Sequence, residues 1–218
     1  MMKLPVIYVL THDCFYVGED GPTHQPVEHI ASLRLLPGIT VLRPADPTET
    51  GAAWIAALKN TNGPTAILLT RQNMPVLDRT QFPKANKLEQ GAYVLWQSAK
   101  GRPQLILIAT GSEVALALEA ARELAKDSAL IVRVVSMPSW ELFEQQPEKI
   151  KRSVLPPYCK KRLVIEAGSS MGWEKYAGAQ GRIHGLDHFG ASAPYKVLAQ
   201  EFGFTTANIV RIAKEMLG

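Results

Sequence analysis

Leu105-Ile106-Leu107-Ile108-Ala109-Thr110-Gly111-Ser112-Glu113 decides the fold: five apolar residues without polar alternation run into a Gly-bearing turn and then a carboxylate. A strand apolar on both faces is one that a parallel sheet buries on both sides. The turn predicts a helix with an N-cap hydroxyl and an early acid, continued on one face by Val114, Leu118, Ala121, Leu124 and Ala125. Such a strand-to-helix turn can also hold an anion. A single short signal of this kind is better explained by capping.

Outward from this stretch the same alternation recurs. Strand-like runs are Pro5–Leu10, Ile39–Leu42, Ala66–Leu69, Ala92–Leu95, Ile131–Val135 and Leu163–Glu166, and helical patterns cover Pro26–Leu36, Pro47–Leu58 and Glu113–Ala125. The order is βαβα, so the class is α/β with mostly parallel sheets and right-handed crossovers. Two further helices, Pro194–Phe202 and Thr205–Leu217, close the chain. Thr205-Thr206 caps the last, whose stripe Ile209, Ile212, Ala213 and Met216 must pack on something.

Residues 73–89 show neither period and carry Met74-Pro75, Asp78-Arg79 and Phe82-Pro83, which reads as a linker. The expected units are therefore 1–72 and 90–218, a division that suits a 218-residue chain.

Composition narrows the function classes. The chain is 46% hydrophobic and 20% charged with a net charge of +4, and its Lys and Arg are scattered, so no basic face for nucleic acid is expected. The apolar runs are strand-length, which excludes a membrane span on hydropathy, and Met1-Met2-Lys3 leads into a strand without a signal-peptide pattern. Cys14 and Cys159 lie far apart with no metal-ligand spacing. That usage fits a reducing cytoplasm, the expected location.

Chemistry concentrates near the start. Thr11-His12-Asp13 and Gly18-Glu19-Asp20-Gly21-Pro22-Thr23-His24-Gln25-Pro26 place two imidazoles and several carboxylates in a tight loop after the first strand. Carboxyl ends of parallel strands are where ligands bind in open α/β sheets. Imidazoles there suit hydroxyl recognition or proton transfer near neutrality, and the loop's glycines let backbone and carboxylates approach a ligand. Arg71, just past the run Ala66–Leu69, would share that edge, and its planar fork fits a phosphate or carboxylate. His184, Asp187 and His188 have a helical ligand spacing, but Gly181, Gly185 and Gly190 argue against a helix. Structural histidines borne on a strand are the better reading there. Trp140, Trp173 and Tyr176 read as packing.

These stretches resemble transketolase: the Thr-His-Asp triplet at 11–13, the 18–26 loop, Arg43-Pro44, Arg71-Gln72-Asn73, Ile108–Val114, Val135-Ser136-Met137-Pro138 and Phe189–Pro194. The similarity runs from Leu4 to Gly218 and covers only the C-terminal part of such a chain. It implies the second half of a pyrimidine-binding domain plus a whole C-terminal domain. The first sheet would then be truncated at its N-terminal side, with an apolar edge and face uncovered, while 90–218 could fold alone.

The resemblance further implies a thiamine diphosphate-dependent transferase that moves a two-carbon ketol unit from a ketose phosphate to an aldose phosphate in the pentose phosphate pathway. His12 and Arg71 would bind the sugar phosphate, Asp20 the acceptor hydroxyl beside the aldehyde, and His24 would lie near the cofactor's aminopyrimidine as a candidate for proton transfer. Thiamine diphosphate and a divalent cation, Mg or Ca, would belong to the full-length homodimeric enzyme. This portion alone is expected to bind neither and to be inactive. Cys14-Phe15-Tyr16 stand where the family often has Ser-Ile-Gly, a departure expected to reshape the acceptor channel. Two other readings are a relative that passes the unit to formaldehyde, as in dihydroxyacetone synthase, and a non-catalytic assembly subunit paired with an N-terminal transketolase subunit.

Overall fold

The computed structural model describes residues 2–218, which form two α/β units. In the first, β1 (Ile7–Thr11), β2 (Thr40–Leu42) and β3 (Thr65–Leu69) form a parallel sheet of order β1-β3-β2. The crossover helices are α1 (His29–Leu35) and α2 (Pro47–Lys59). Asp46 caps α2 by accepting the Glu49 amide at 2.8 Å, with Pro47 following it, where the missing donor is harmless. One face of the sheet packs Leu42 and Ile67 on Ala53 and Ala57 of α2, and the other packs Val41, Ala66 and Leu68 on Ile30 of α1.

β3 is buried on both faces, as its unbroken apolar run predicts, but β1 is not. Val6, Tyr8, Val9 and Leu10 are each at least 40% exposed. β1 is the edge strand of its sheet, and apolar residues on both of its faces are exposed.

The second unit has a five-stranded sheet, order β4-β6-β5-β7-β8, from β4 (Tyr93–Gln97), β5 (Leu105–Ala109), β6 (Val132–Ser136), β7 (Arg162–Ile165) and β8 (Arg182–His184). Every pairing is parallel except β4 with β6. The central β5 is fully buried. One face carries α3 (Glu113–Leu124), α7 (Tyr195–Glu201) and α8 (Thr206–Leu217), and the stripe of α8 packs Ile209 and Ala213 into that core. The other face carries α4 (Trp140–Glu144), α5 (Glu148–Val154) and α6 (Glu174–Ala177), with Trp173 and Tyr176 buried in it and Trp140 packed against them. Those aromatics are packing residues, as their reading predicts.

Two local expectations are corrected. Thr205 does cap α8, accepting the Asn208 amide at 3.3 Å, but Ser112 does not cap α3. Ser112 is itself helical and donates its hydroxyl to Glu113 at 2.6 Å, because Glu113 is turned inward onto another partner. Residues 73–84 form no helix or strand, yet they are pinned: the Leu77 amide donates to Asp46 at 2.9 Å and Arg79 pairs with the same carboxylate at 2.9 Å.

The units share a core. Cys14, Phe15 and Tyr16 are buried, and Phe15 sits edge-on to Phe202 at 5.2 Å and against Phe204 at 5.0 Å, while Tyr16 meets Tyr195 at 6.1 Å. The triplet that departs from the family pattern is thus part of the packing between the units. Its side chains point into the second unit rather than toward solvent, and burial alone drives them there, at roughly 2 kcal/mol or more for a ring of this size.

Candidate functional site

The register of the first sheet positions the first two site residues. Thr11 pairs with Leu69, and the Asp13 amide donates to the Leu69 carbonyl at 3.3 Å, so His12 and Arg71 leave the carboxyl ends of adjacent parallel strands. His12 adopts φ of 64°, a left-handed conformation that costs a non-Gly residue on the order of 1 kcal/mol or more. Its ring Nδ1 lies 2.9 Å from Thr11 Oγ1. His12 and Arg71 are both exposed.

The loop at 18–26 leaves the short 3-10 turn Phe15–Val17 and is tied across the molecule by Gln25. This buried amide donates to the Gly18 carbonyl at 2.7 Å and to the Ala191 carbonyl at 2.8 Å, and Ser192 donates to the Glu19 carbonyl at 2.6 Å. Gly190 must lack a side chain: a Cβ there would lie 1.5 Å from Gln25 Oε1. The Phe189–Pro194 stretch of the second unit thus moulds the loop of the first. Asp20 and His24 both stand exposed on it, and His24 Nδ1 lies 3.0 Å from Thr23 Oγ1.

A groove of about 610 Å3 runs along this junction, lined by Pro22, His24, Glu28, His29, Phe189 and Gly190 among others. That is within the size range of small-molecule sites. Of the four candidates, His24 alone lines it. His12 and Arg71 share the strand edge, Asp20 and His24 share the loop, and no hydrogen bond joins any of the four to another.

Behind the site lies a buried ionic cluster. Arg43, fully buried, donates from Nε to Asp13 Oδ2 at 2.7 Å and from Nη1 to the Thr110 carbonyl at 2.9 Å and to Glu113 Oε2. Burial alone would lower its guanidinium pKa, but the carboxylates of Asp13 and Glu113 outweigh that and hold it above its ordinary value. The same burial, helped by Asp13 and Glu113, pushes the Cys14 thiol well up and makes it a poor nucleophile. Gly111, at φ of 56°, lets the turn before α3 lie on Arg43, where a Cβ would fall 2.7 Å from the guanidinium carbon. The Gly-bearing turn singled out in the sequence therefore seats a cation of its own chain.

Local sequence pattern does not mark Gln25, Arg43 and Glu113 as site residues. Arg43 stands directly after an apolar strand and Glu113 in an otherwise apolar helix face, a signal of inward charge, but their pairing spans seventy positions and no local pattern encodes it. His184 ends β8 with its ring 4.4 Å from Phe204, whereas His188 and Asp187 lie beyond the strand, Asp187 accepting the Ser170 amide at 2.8 Å. Among the described residues no group of three His, Cys, Asp or Glu side chains is placed to hold a metal ion, and no helix is long and apolar enough to cross a membrane.

Comparison with known proteins identifies both units. Residues 1–76 match the transketolase pyrimidine-binding domain family and residues 91–205 the transketolase-like C-terminal domain family. Transketolase of Geobacillus stearothermophilus is 53% identical over 218 residues, all of this chain and 32% of that protein. The solved transketolase of Leishmania mexicana is 45% identical with a TM-score of 0.89, covering 97% of this chain and 30% of that one. A Pichia stipitis transketolase solved with sedoheptulose 7-phosphate is 38% identical with a TM-score of 0.89, covering 98% and 30%. The chain spans about a third of the length of the curated relatives it matches. With both of its units matched in order and its full length aligned, this chain belongs to the transketolase family.

Proposed function

We infer that the chain is the C-terminal portion of a thiamine diphosphate-dependent transketolase that transfers a two-carbon ketol unit from a ketose phosphate to an aldose phosphate. The observation that carries this reading is the shared strand edge: His12 and Arg71 emerge side by side from β1 and β3, exposed and unpaired with any carboxylate among the described residues. An imidazole and a guanidinium in that position form a cradle for a phosphoryl group. The Pichia stipitis relative holds a sugar phosphate of the expected class.

In this reading Asp20 accepts a hydrogen bond from the acceptor's hydroxyl, and His24 holds or moves a proton at the reacting oxygen through its Nε2, since Nδ1 faces Thr23. Thiamine diphosphate, when bound, supplies a nucleophilic carbon and an electron sink. The groove at His24 has room for a ring and an exposed Phe189 beside it, which fits the cofactor's aminopyrimidine side. The donor set for a divalent cation and a diphosphate is not found among the described residues, so those groups are assigned to the remaining two thirds of the longer protein.

The exposed β1 face supports the same division, because it leaves a strand-binding edge for the rest of the pyrimidine-binding domain. The active assembly is proposed as a homodimer of the longer protein in the reducing cytoplasm, where two free buried cysteines persist. The domain division 1–72, 73–89 and 90–218 is proposed with it, supported by the separate sheets on either side of the pinned segment.

The test is Arg71→Ala in an enzyme reconstituted from this chain and the complementary portion of a relative. Loss of a charge-assisted contact should raise KM for phosphorylated sugars by about tenfold or more and leave unphosphorylated acceptors nearly unchanged. Equal losses for both would reduce Arg71 to scaffolding and sink the phosphate assignment.

A further inference from the structure

His12 occupies a conformation its side chain does not favour, and the structure shows what surrounds it. On one side Thr11 is locked in register with Leu69 of β3. On the other, Asp13 is held twice, by its amide to the Leu69 carbonyl at 3.3 Å and by its carboxylate to Arg43 Nε at 2.7 Å. A left-handed residue persists where its neighbours over-determine it. The backbone contact of Asp13 is long, which leaves the charge-assisted bond to Arg43 as the stronger of the two restraints.

Arg43 in turn is held almost entirely by the second unit. Its Nη1 donates to Glu113 Oε2 and to the Thr110 carbonyl, its own carbonyl accepts the Gly111 amide at 3.1 Å, and Glu113 is fixed by the Ala167 amide at 3.0 Å and by Ser112. A chain of buried contacts therefore runs from the first turn of α3 through one guanidinium to the residue beside His12.

We propose that Arg43 is a positioning residue: by pinning Asp13 it fixes the left-handed turn of His12, and through Glu113 the C-terminal unit sets the direction in which that imidazole meets the substrate's phosphate. The consequence for substrate rests on the phosphate reading of His12 given above. The geometric part does not.

The experiment uses the isotopically labelled 218-residue chain, wild type and the variants Arg43→Lys and Glu113→Gln, with Arg34→Lys as a control that disturbs another buried ion pair between the units. The backbone coupling and short-range NOEs of His12 report its φ. The left-handed turn is expected in wild type and Arg34→Lys, lost in Arg43→Lys, whose single ammonium cannot hold Asp13, Thr110 and Glu113 together, and weakened in Glu113→Gln. A folded Arg43→Lys that keeps the turn overturns the proposal. If that variant does not fold, Asp13→Asn takes its place, loss of the turn supporting the idea and retention overturning it. Retention in Glu113→Gln overturns the control assigned to the C-terminal unit.

Titration with inorganic phosphate, followed at the His12 ring, supplies the second readout. Affinity should fall by about tenfold when the turn is lost, the size of one charge-assisted contact. Unchanged affinity despite a lost turn overturns the link to substrate. No response at His12 in the wild type counts against the phosphate reading itself, and the φ measurement then decides the positioning role alone.

Discussion

Arg34 and Glu166 meet as two parallel forks, Nη1 to Oε2 at 2.9 Å and Nη2 to Oε1 at 2.8 Å, with both side chains at most 3% exposed. The pair joins α1 of the first unit to the end of β7 in the second. It is surrounded by aromatic carbon: the guanidinium lies 4.1 Å over the Trp140 ring, and the Trp173 indole donates to Glu166 Oε2 at 2.6 Å.

Arg34→Ala should therefore destabilise the chain by roughly 3–5 kcal/mol, because Glu166 would remain charged, buried and stripped of its main partner. Urea unfolding checks the value. The double change Arg34→Met with Glu166→Gln should recover much of the loss, since it removes both charges while keeping volume. A double variant as unstable as Arg34→Ala would show that the aromatic stacking, not the uncompensated carboxylate, carries the effect.

Glu49 predicts the sign of a pH dependence. Fully buried, it accepts the Ala45 amide at 2.8 Å, the Ser136 hydroxyl at 3.0 Å and the Tyr93 hydroxyl, and burial raises its carboxyl above the ordinary 4.5 against the pull of those donors. A raised folded-state pKa means the folded chain binds the proton more tightly than the unfolded one. Its contribution is thus complete below the unfolded value and is lost as pH rises through the folded one. Glu49→Gln should flatten the decline of stability upward from about pH 4.5, as read in unfolding free energies across that window. The slope is the readout, and an unaltered slope would assign the dependence to another group.

The α/β class and the mostly parallel sheets were legible because continuous apolar stretches such as Leu105–Ala109 and Ala66–Leu69 admit few other burials, whereas the strand order within each sheet is not carried by them. His12 and Arg71 could be placed on one edge for the same reason: parallel strands put their carboxyl ends together. What local pattern does not carry is the choice of partner for an inward charge. Ser112 looks like a cap until Glu113 is seen to turn toward Arg43, and nothing local to Cys14-Phe15-Tyr16 names Phe202, Phe204 and Tyr195 as the rings brought over them from the far end of the chain. The short helices α4 to α6 have too few turns for a period to show, and only the aromatic cluster they carry stands out.

The uncovered strand β1 should show itself in solution. Val6, Tyr8, Val9 and Leu10 expose apolar side chains on both faces, beside a row of unpaired backbone groups along the free edge. The 218-residue chain is expected to bind a hydrophobic dye and to self-associate as concentration rises. Tyr8→Lys with Leu10→Glu should suppress both, because charge on an edge strand blocks pairing, while leaving the C-terminal sheet intact by near-ultraviolet dichroism. Dye binding that survives the double change would place the sticky surface elsewhere, with the exposed Trp54, Ile55 and Leu58 of α2 the next to change.

Gly190 offers the sharpest test of how the loop at 18–26 is held. A Cβ at that position would overlap Gln25 Oε1 at 1.5 Å and crowd its amide carbon at 2.7 Å, and the glutamine cannot swing away without surrendering its bonds to the Gly18 and Ala191 carbonyls. Gly190→Ala should therefore release the loop, at about 1–3 kcal/mol for buried polar groups left unpaired. Hydrogen exchange should rise across residues 18–26 and stay unchanged in β5 and β6. Gln25→Ala should give the same exchange pattern without any clash, because it removes the tie rather than displacing it. If Gly190→Ala instead loosened the C-terminal sheet and left the loop protected, the tie would run the other way, with the loop supporting the Phe189–Pro194 stretch.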